Sequence, residues 1–164
     1  NARHPFIVRL HAAFRTPAGE LALVMEYCPN GDLNNLLVHC GRPGLAETTV
    51  RKVLAEVLLA LQYLHEDLDV VFRDLKPENI VFDAGMRAKL TDFGLACIGA
   101  ASEGGASTFC GSRFYVAPEV PHGAEVPYGP AVDLYALGLV SWVCLTGGRR
   151  LSTADSGGGG GATS

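Results

Sequence analysis

The sequence predicts an α+β fold, and three observations carry that reading. Apolar residues near the start run in strand fashion on either side of a turn. Farther along they recur at helical spacing over a long stretch free of Gly and Pro. Between short strand-like runs lies a polar loop, Phe72-Arg73-Asp74-Leu75-Lys76-Pro77-Glu78-Asn79. With 48% hydrophobic and 18% charged residues, the 164-residue chain can bury one domain-sized core.

Ile7, Val8 and Leu10 begin a strand-like run to Phe14, and Leu21–Tyr27 forms a second. Thr16-Pro17-Ala18-Gly19 between them reads as a turn, making the pair a hairpin. Pro29-Asn30-Gly31 breaks the pattern. From Glu47 to His65, Val50, Val53, Leu54, Val57, Leu58, Leu61 and Leu64 fall on one helical face, so one long amphipathic helix is expected. Ile80–Phe82 and Ala88–Thr91 read as two short strands joined at Asp83-Ala84-Gly85. The longest apolar stretch, Leu134 to Leu145, is far shorter than the ~20 residues that span a bilayer. It follows Pro130 and stops at Gly147-Gly148, which suits a buried core helix. From Arg149 the composition changes, ending in the glycine run Gly157–Gly161, and this tail is expected to be disordered.

The net charge of −4 leaves no basic footprint for nucleic acid, and no membrane partner is expected. The five cysteines form no C-x-x-C pair and are odd in number. Reduced thiols in a cytoplasmic or nuclear setting fit that pattern better than a disulfide framework. Cys110 reads as a small buried hydrophobe. No histidine pairs with cysteines at zinc spacing, and no targeting signal is visible.

Asp74, Asn79 and Asp92 carry the chemistry. They lie in the loop above and in Thr91-Asp92-Phe93-Gly94, with Ala117-Pro118-Glu119 following farther on. Transfer of a γ-phosphoryl group needs a base near the attacking hydroxyl and Mg²⁺ to neutralise the triphosphate. Carboxylate and amide oxygens suit that hard cation. Lys76 places a compact positive charge two residues from the base, where the migrating group would pass.

On these motifs the chain resembles the eukaryotic protein kinases, and most of all their AGC serine/threonine group. His4-Pro5-Phe6-Ile7-Val8, Asn30-Gly31-Asp32-Leu33 and Thr108-Phe109-Cys110-Gly111-Ser112 add to the likeness. The resemblance implies a truncated bilobal kinase fold over residues 1–148. Residues 1–27 would be the remainder of the N-lobe and the start of the hinge, 28–148 part of the C-lobe, and 149–164 the Gly-rich tail. It implies Asp74 as catalytic base and Asn79 and Asp92 as Mg²⁺ ligands. Met25 would be the gatekeeper, and the backbone of Glu26 and Cys28 would meet the adenine edge. Val81 would floor the adenine pocket, Asp32 would reach the ribose hydroxyls, and Glu78 belongs with these nucleotide-contacting positions. Lys76 favours Ser/Thr acceptors, so the expected activity is ATP-dependent phosphorylation of a protein Ser or Thr hydroxyl.

Thr108 is the expected activating phosphosite for an upstream kinase, with Ser107 and Ser102 as rivals. Arg73 would meet its phosphate, and Ser112 would bond Asp74. Phe72 stands where a His or Tyr is usual, and its ring is expected to stack against Phe93 and Leu10. Arg113 falls in Ser112-Arg113-Phe114-Tyr115-Val116, which replaces the group's usual Thr-Pro-Glu-Tyr-Leu. No Gly-rich phosphate loop, and no Lys–Glu pair for the α- and β-phosphates, lies within these residues. The chain therefore reads as a piece of a longer protein, not itself a competent kinase. A non-catalytic kinase-like binding module is the alternative.

Overall fold

Strand alternation in the first residues builds a two-stranded antiparallel hairpin, β1 (Leu10–Arg15) against β2 (Leu21–Met25). The computed structural model describes residues 3–99, 105–106, 108, 110–120 and 127–148. The hairpin turn closes through Thr16, whose N–H donates to the Glu20 carbonyl at 2.8 Å. Ile7 and Val8, expected in this strand, instead lie along a different one. Ile7 bridges Leu90 in parallel, and the Val8 N–H donates to the Leu90 carbonyl at 2.9 Å. The reason is burial: Ile7 is 3% exposed there, whereas the hairpin is open to solvent along both strands.

The hinge-like stretch after β2 leads into α1 (Leu33–Cys40), a helix the sequence pattern had not marked. Its N-cap is Asp32, whose carboxylate accepts the Asn35 N–H at 2.7 Å. Helix α2 (Glu47–Gln62) buries Val50, Val53, Val57, Ala60 and Leu61. It ends before the expected His65 because the chain widens into a π-helical turn, Tyr63–Asp67. Glu56 on α2 is buried, and its carboxylate accepts the Ala88 N–H at 2.7 Å, tying the helix to the next hairpin. That hairpin is β4 (Ile80–Phe82) with β5 (Ala88–Leu90), while β3 (Val70–Val71) pairs with β6 (Cys97–Ile98).

Helix α3 (Ala131–Thr146) closes the core with Val132, Ala136, Leu139, Val140, Val143 and Cys144. Burial pushes the Cys144 thiol up to about 12. The α1–α2 connection locks onto the end of this helix, the Leu45 N–H donating to the Cys144 carbonyl at 2.8 Å. Gly44 is required there, since a Cβ would meet that carbonyl oxygen at 2.5 Å. Only one side of α3 is covered: Leu134 and Leu145 remain 50% and 44% exposed, so the expected buried helix is half-buried. No helix among the described residues is long and apolar enough to cross a membrane. The Gly-rich tail, with Ser102 and Ser107, lies outside the described residues.

Candidate active site

The polar loop is held from beneath by one carboxylate. Asp133, in the first turn of α3 and 1% exposed, accepts the Phe72 N–H and the Arg73 N–H, each at 2.8 Å. His65 Nε2 lies 2.8 Å from the same carboxylate. These bonds hold Arg73 at φ 70, a left-handed conformation that costs a non-glycine residue about 1–2 kcal/mol. The Phe72 ring is fully buried and meets the Phe93 ring edge-on, with centroids 5.1 Å apart. Leu10, the other expected neighbour of that ring, is 41% exposed.

Turned this way, the loop presents Asp74, whose carboxylate is buried and surrounded by donors. Oδ2 lies 2.6 Å from Lys76 Nζ and 3.0 Å from Asn79 Nδ2. Oδ1 accepts the Ser112 N–H at 3.1 Å and the Ser112 hydroxyl at 2.9 Å. Lys76 Nζ also donates to Ser112 Oγ at 3.0 Å, closing a ring of contacts. Four positions nominated from the sequence (Asp74, Lys76, Asn79 and Ser112) thus meet within hydrogen-bond range.

Asn79 spends both amide protons on Asp74, its carbonyl at 2.9 Å and its carboxylate. Its Oδ1 therefore points away from the carboxylate and has no partner among the described residues. The β4–β5 pairing brings Asp92 to the same edge, for the Thr91 N–H donates to the Asn79 carbonyl at 3.0 Å. Asp92 is exposed, adopts φ 61, and uses only Oδ1, which accepts the Gly94 N–H at 3.2 Å. An open amide oxygen and an open carboxylate oxygen are the donor types that suit a hard divalent cation.

The proposed nucleotide side is assembled by the stretch after β2. The Phe82 N–H donates to the Gly31 carbonyl at 2.9 Å, and Asp32 bridges Val81, so these two candidates become neighbours. Both Asp32 oxygens contact Asn35. Met25 is 48% exposed at the end of β2, and Glu78 is exposed beside Asn79. The Glu26 side chain turns from this edge to pair with Lys89 at 3.0 Å, leaving its carbonyl and the Cys28 N–H without partners among the described residues. Burial, then the Glu26 carboxylate, pushes the Cys28 thiol up.

Behind the loop runs the segment carrying Thr108. Gly111, at φ 103, allows it to lie against the loop backbone, where a Cβ would sit 2.7 Å from the Arg73 carbonyl. Thr108 is exposed, and its carbonyl accepts the Tyr128 hydroxyl at 2.6 Å. That hydroxyl in turn accepts from Arg73 Nη1 at 3.2 Å, while Arg73 Nε donates to the Leu95 carbonyl at 2.6 Å. Sequence reasoning missed Asp133, His65 and Tyr128. For Asp133 a signal existed: it is the one charge in an apolar helix, and such a charge needs a partner.

This arrangement is that of a partial bilobal kinase fold. The protein kinase domain model matches residues 1–157, and the chain belongs to that family. It is 42% identical over 153 residues to Protein kinase 3 of Dictyostelium discoideum, covering 88% of this chain and 16% of that protein. Protein kinase C-like 1B of Caenorhabditis elegans is 40% identical over 146 residues, covering 89% of this chain and 20% of the relative. Serine/threonine-protein kinase Sgk1 of Rattus norvegicus is 43% identical over 148 residues, covering 90% and 33% respectively. These likenesses mark an AGC-type serine/threonine kinase domain. The chain spans between 16% and 33% of the length of these relatives.

Proposed function

We propose that the protein carrying this domain transfers the γ-phosphoryl group of Mg·ATP to a Ser or Thr hydroxyl of a protein substrate. The observation that supports this most is the Asp74 carboxylate, buried yet bonded by Lys76, Asn79 and Ser112. Those donors fix its direction, as a base needs when it orients an acceptor hydroxyl. As the hydroxyl oxygen bonds to phosphorus, its proton passes to Asp74, the bond to the bridging oxygen breaks and ADP leaves. The Lys76 ammonium, 2.6 Å from Asp74, supplies positive charge where the phosphoryl oxygens cross. Asn79 Oδ1 and the Asp92 carboxylate would hold Mg²⁺, which neutralises the triphosphate. Met25, Glu26, Cys28, Asp32, Glu78 and Val81 would form the nucleotide side. All five cysteines are free thiols, which supports a cytoplasmic or nuclear setting.

The test is Asp74→Asn in the full-length protein. Peptide phosphorylation should fall by about 10²–10⁴-fold, the usual cost of losing a general base, while nucleotide binding stays. Near-parental turnover by Asp74→Asn refutes the role. A parent that binds nucleotide without any turnover identifies a non-catalytic module.

A further inference from the structure

We infer that Arg113 selects substrates bearing an anionic group, a carboxylate or a phosphate, beside the acceptor hydroxyl. This rests on the phosphotransfer reading above and specifies its substrate class. Ser112 is fixed on Asp74 Oδ1 through both its N–H and its hydroxyl. Its carbonyl accepts the Tyr115 N–H at 2.7 Å, closing a four-residue turn with Arg113 at the second position. The Phe114 and Tyr115 rings meet edge-on at 5.0 Å and pack against the core, so the turn stands on a firm base. Proline is favoured at that corner of a turn. An arginine there forgoes the rigidity and sets a charge at the lip of the site.

Arg113 is exposed and makes no ion pair or hydrogen bond among the described residues. It lines an open cavity of about 560 Å³ together with Lys76, Glu78, Asn79 and Phe114. Lys76 is committed to Asp74 and Ser112, so Arg113 is the uncommitted cation of that cavity. Glu78, its one acidic wall, does not pair with it, which leaves both charges open to a ligand. Successive Cα atoms lie ~3.8 Å apart, and an extended peptide advances ~3.3 Å per residue. From a corner one residue beyond Ser112, the guanidinium therefore commands the first one or two positions flanking the acceptor. Its planar fork matches carboxylate and phosphate oxygens bidentately.

A peptide set with one Ser acceptor and Ala, Asp, phosphoserine or Lys placed at each flanking position, on both sides, tests this with the full-length kinase. At one flank, Asp should exceed Ala by about three- to five-fold in kcat/KM, the size of a partly exposed ion pair. Phosphoserine should exceed it further, roughly ten-fold, for its larger charge. Lys should fall below Ala. Within Arg113→Ala the Asp:Ala ratio should collapse to about one, Arg113→Lys should keep part of it, and Arg113→Glu should favour Lys. Preference for phosphoserine with none for Asp would assign the site to phosphorylated substrates alone. Turnover without charge preference, or ratios unchanged in Arg113→Ala, overturns the inference while leaving the kinase reading intact. No turnover on any peptide overturns both.

Discussion

Asp133→Asn tests how the catalytic loop is held in place. The parental carboxylate takes the Arg73 N–H on Oδ1 and the Phe72 N–H on Oδ2, both at 2.8 Å, in a site 1% exposed. An asparagine offers one oxygen, so its NH₂ group must face the other backbone N–H. One charge-assisted bond worth about 1.5–3 kcal/mol disappears, and a buried donor is stranded at about 1–3 kcal/mol. The left-handed Arg73 returns part of this when it relaxes, roughly 1 kcal/mol, so a net loss of about 3 kcal/mol is expected. For a domain of this size that lowers Tm by roughly 10 °C. Activity should fall as well, because a relaxed Arg73 no longer reaches Leu95 and Tyr128 and the turn of Asp74 is lost. Calorimetry gives the first number, and hydrogen exchange at the Phe72 and Arg73 amides gives the local one. A Tm within about 2 °C of the parent, with both amides still protected, refutes the anchor.

Lys89 is 5% exposed with Glu26 as its partner, so Lys89→Met removes the carboxylate's one ion pair among the described residues and leaves it the Arg9 N–H at 3.2 Å. Because the Glu26 side chain is 29% exposed, the loss should be about 1–2 kcal/mol in urea unfolding, below that of a fully buried pair. Adding Glu26→Gln should recover most of it, and failure to do so refutes the pairing argument. Burial, then Lys89, holds His4 below its ordinary value, and its Nδ1 accepts the Phe6 N–H at 3.3 Å. The folded state thus resists protonation there, so this stability is full above about pH 6.5 and drains as pH falls through the lower folded value. His4→Gln should flatten the fall in urea midpoint between neutral and mildly acidic buffer, and parallel pH curves would count against it. Thr108 should carry phosphate in active protein, with Thr108→Ala about ten-fold or more slower; an unmodified Thr108 and a fully active Ala variant would sink that assignment.

What was legible in the sequence was whatever depends on near neighbours. The β1–β2 and β4–β5 hairpins, α2 and α3 announce themselves by period and by bracketing Pro or Gly. The loop from Arg73 to Asn79 was readable because its groups stand within a few residues of each other. Helix α1 was not, since two asparagines interrupt its apolar pattern and its stability comes from the Asp32 cap and from Leu33 and Leu37 in the core. The pairing of Val70–Val71 with Cys97–Ile98 is two residues long on each side, too short for any period to show. Ile7 left the hairpin because Leu90 offered burial that no local pattern reports. Asp133 and Tyr128 act on groups up to 68 positions away, and only the folded chain brings them there.

Arg73 and Asp92 share the left-handed backbone with two other non-glycine residues, Asp69 and Met86, among those described. Asparagine tolerates that region better than arginine does, and glycine occupies it freely. The residues of lowest backbone cost at these two codons are therefore not the ones present. A laboratory selection that rewarded heat resistance alone would drift toward glycine at both, or toward asparagine in place of Arg73. It would return domains that survive higher temperatures and have lost the guanidinium that ties the loop to Leu95 and Tyr128 and the exposed carboxylate of Asp92. On the proposed phosphotransfer reading, thermal endurance and turnover are rival traits at these positions, and a breeding scheme must score both at once.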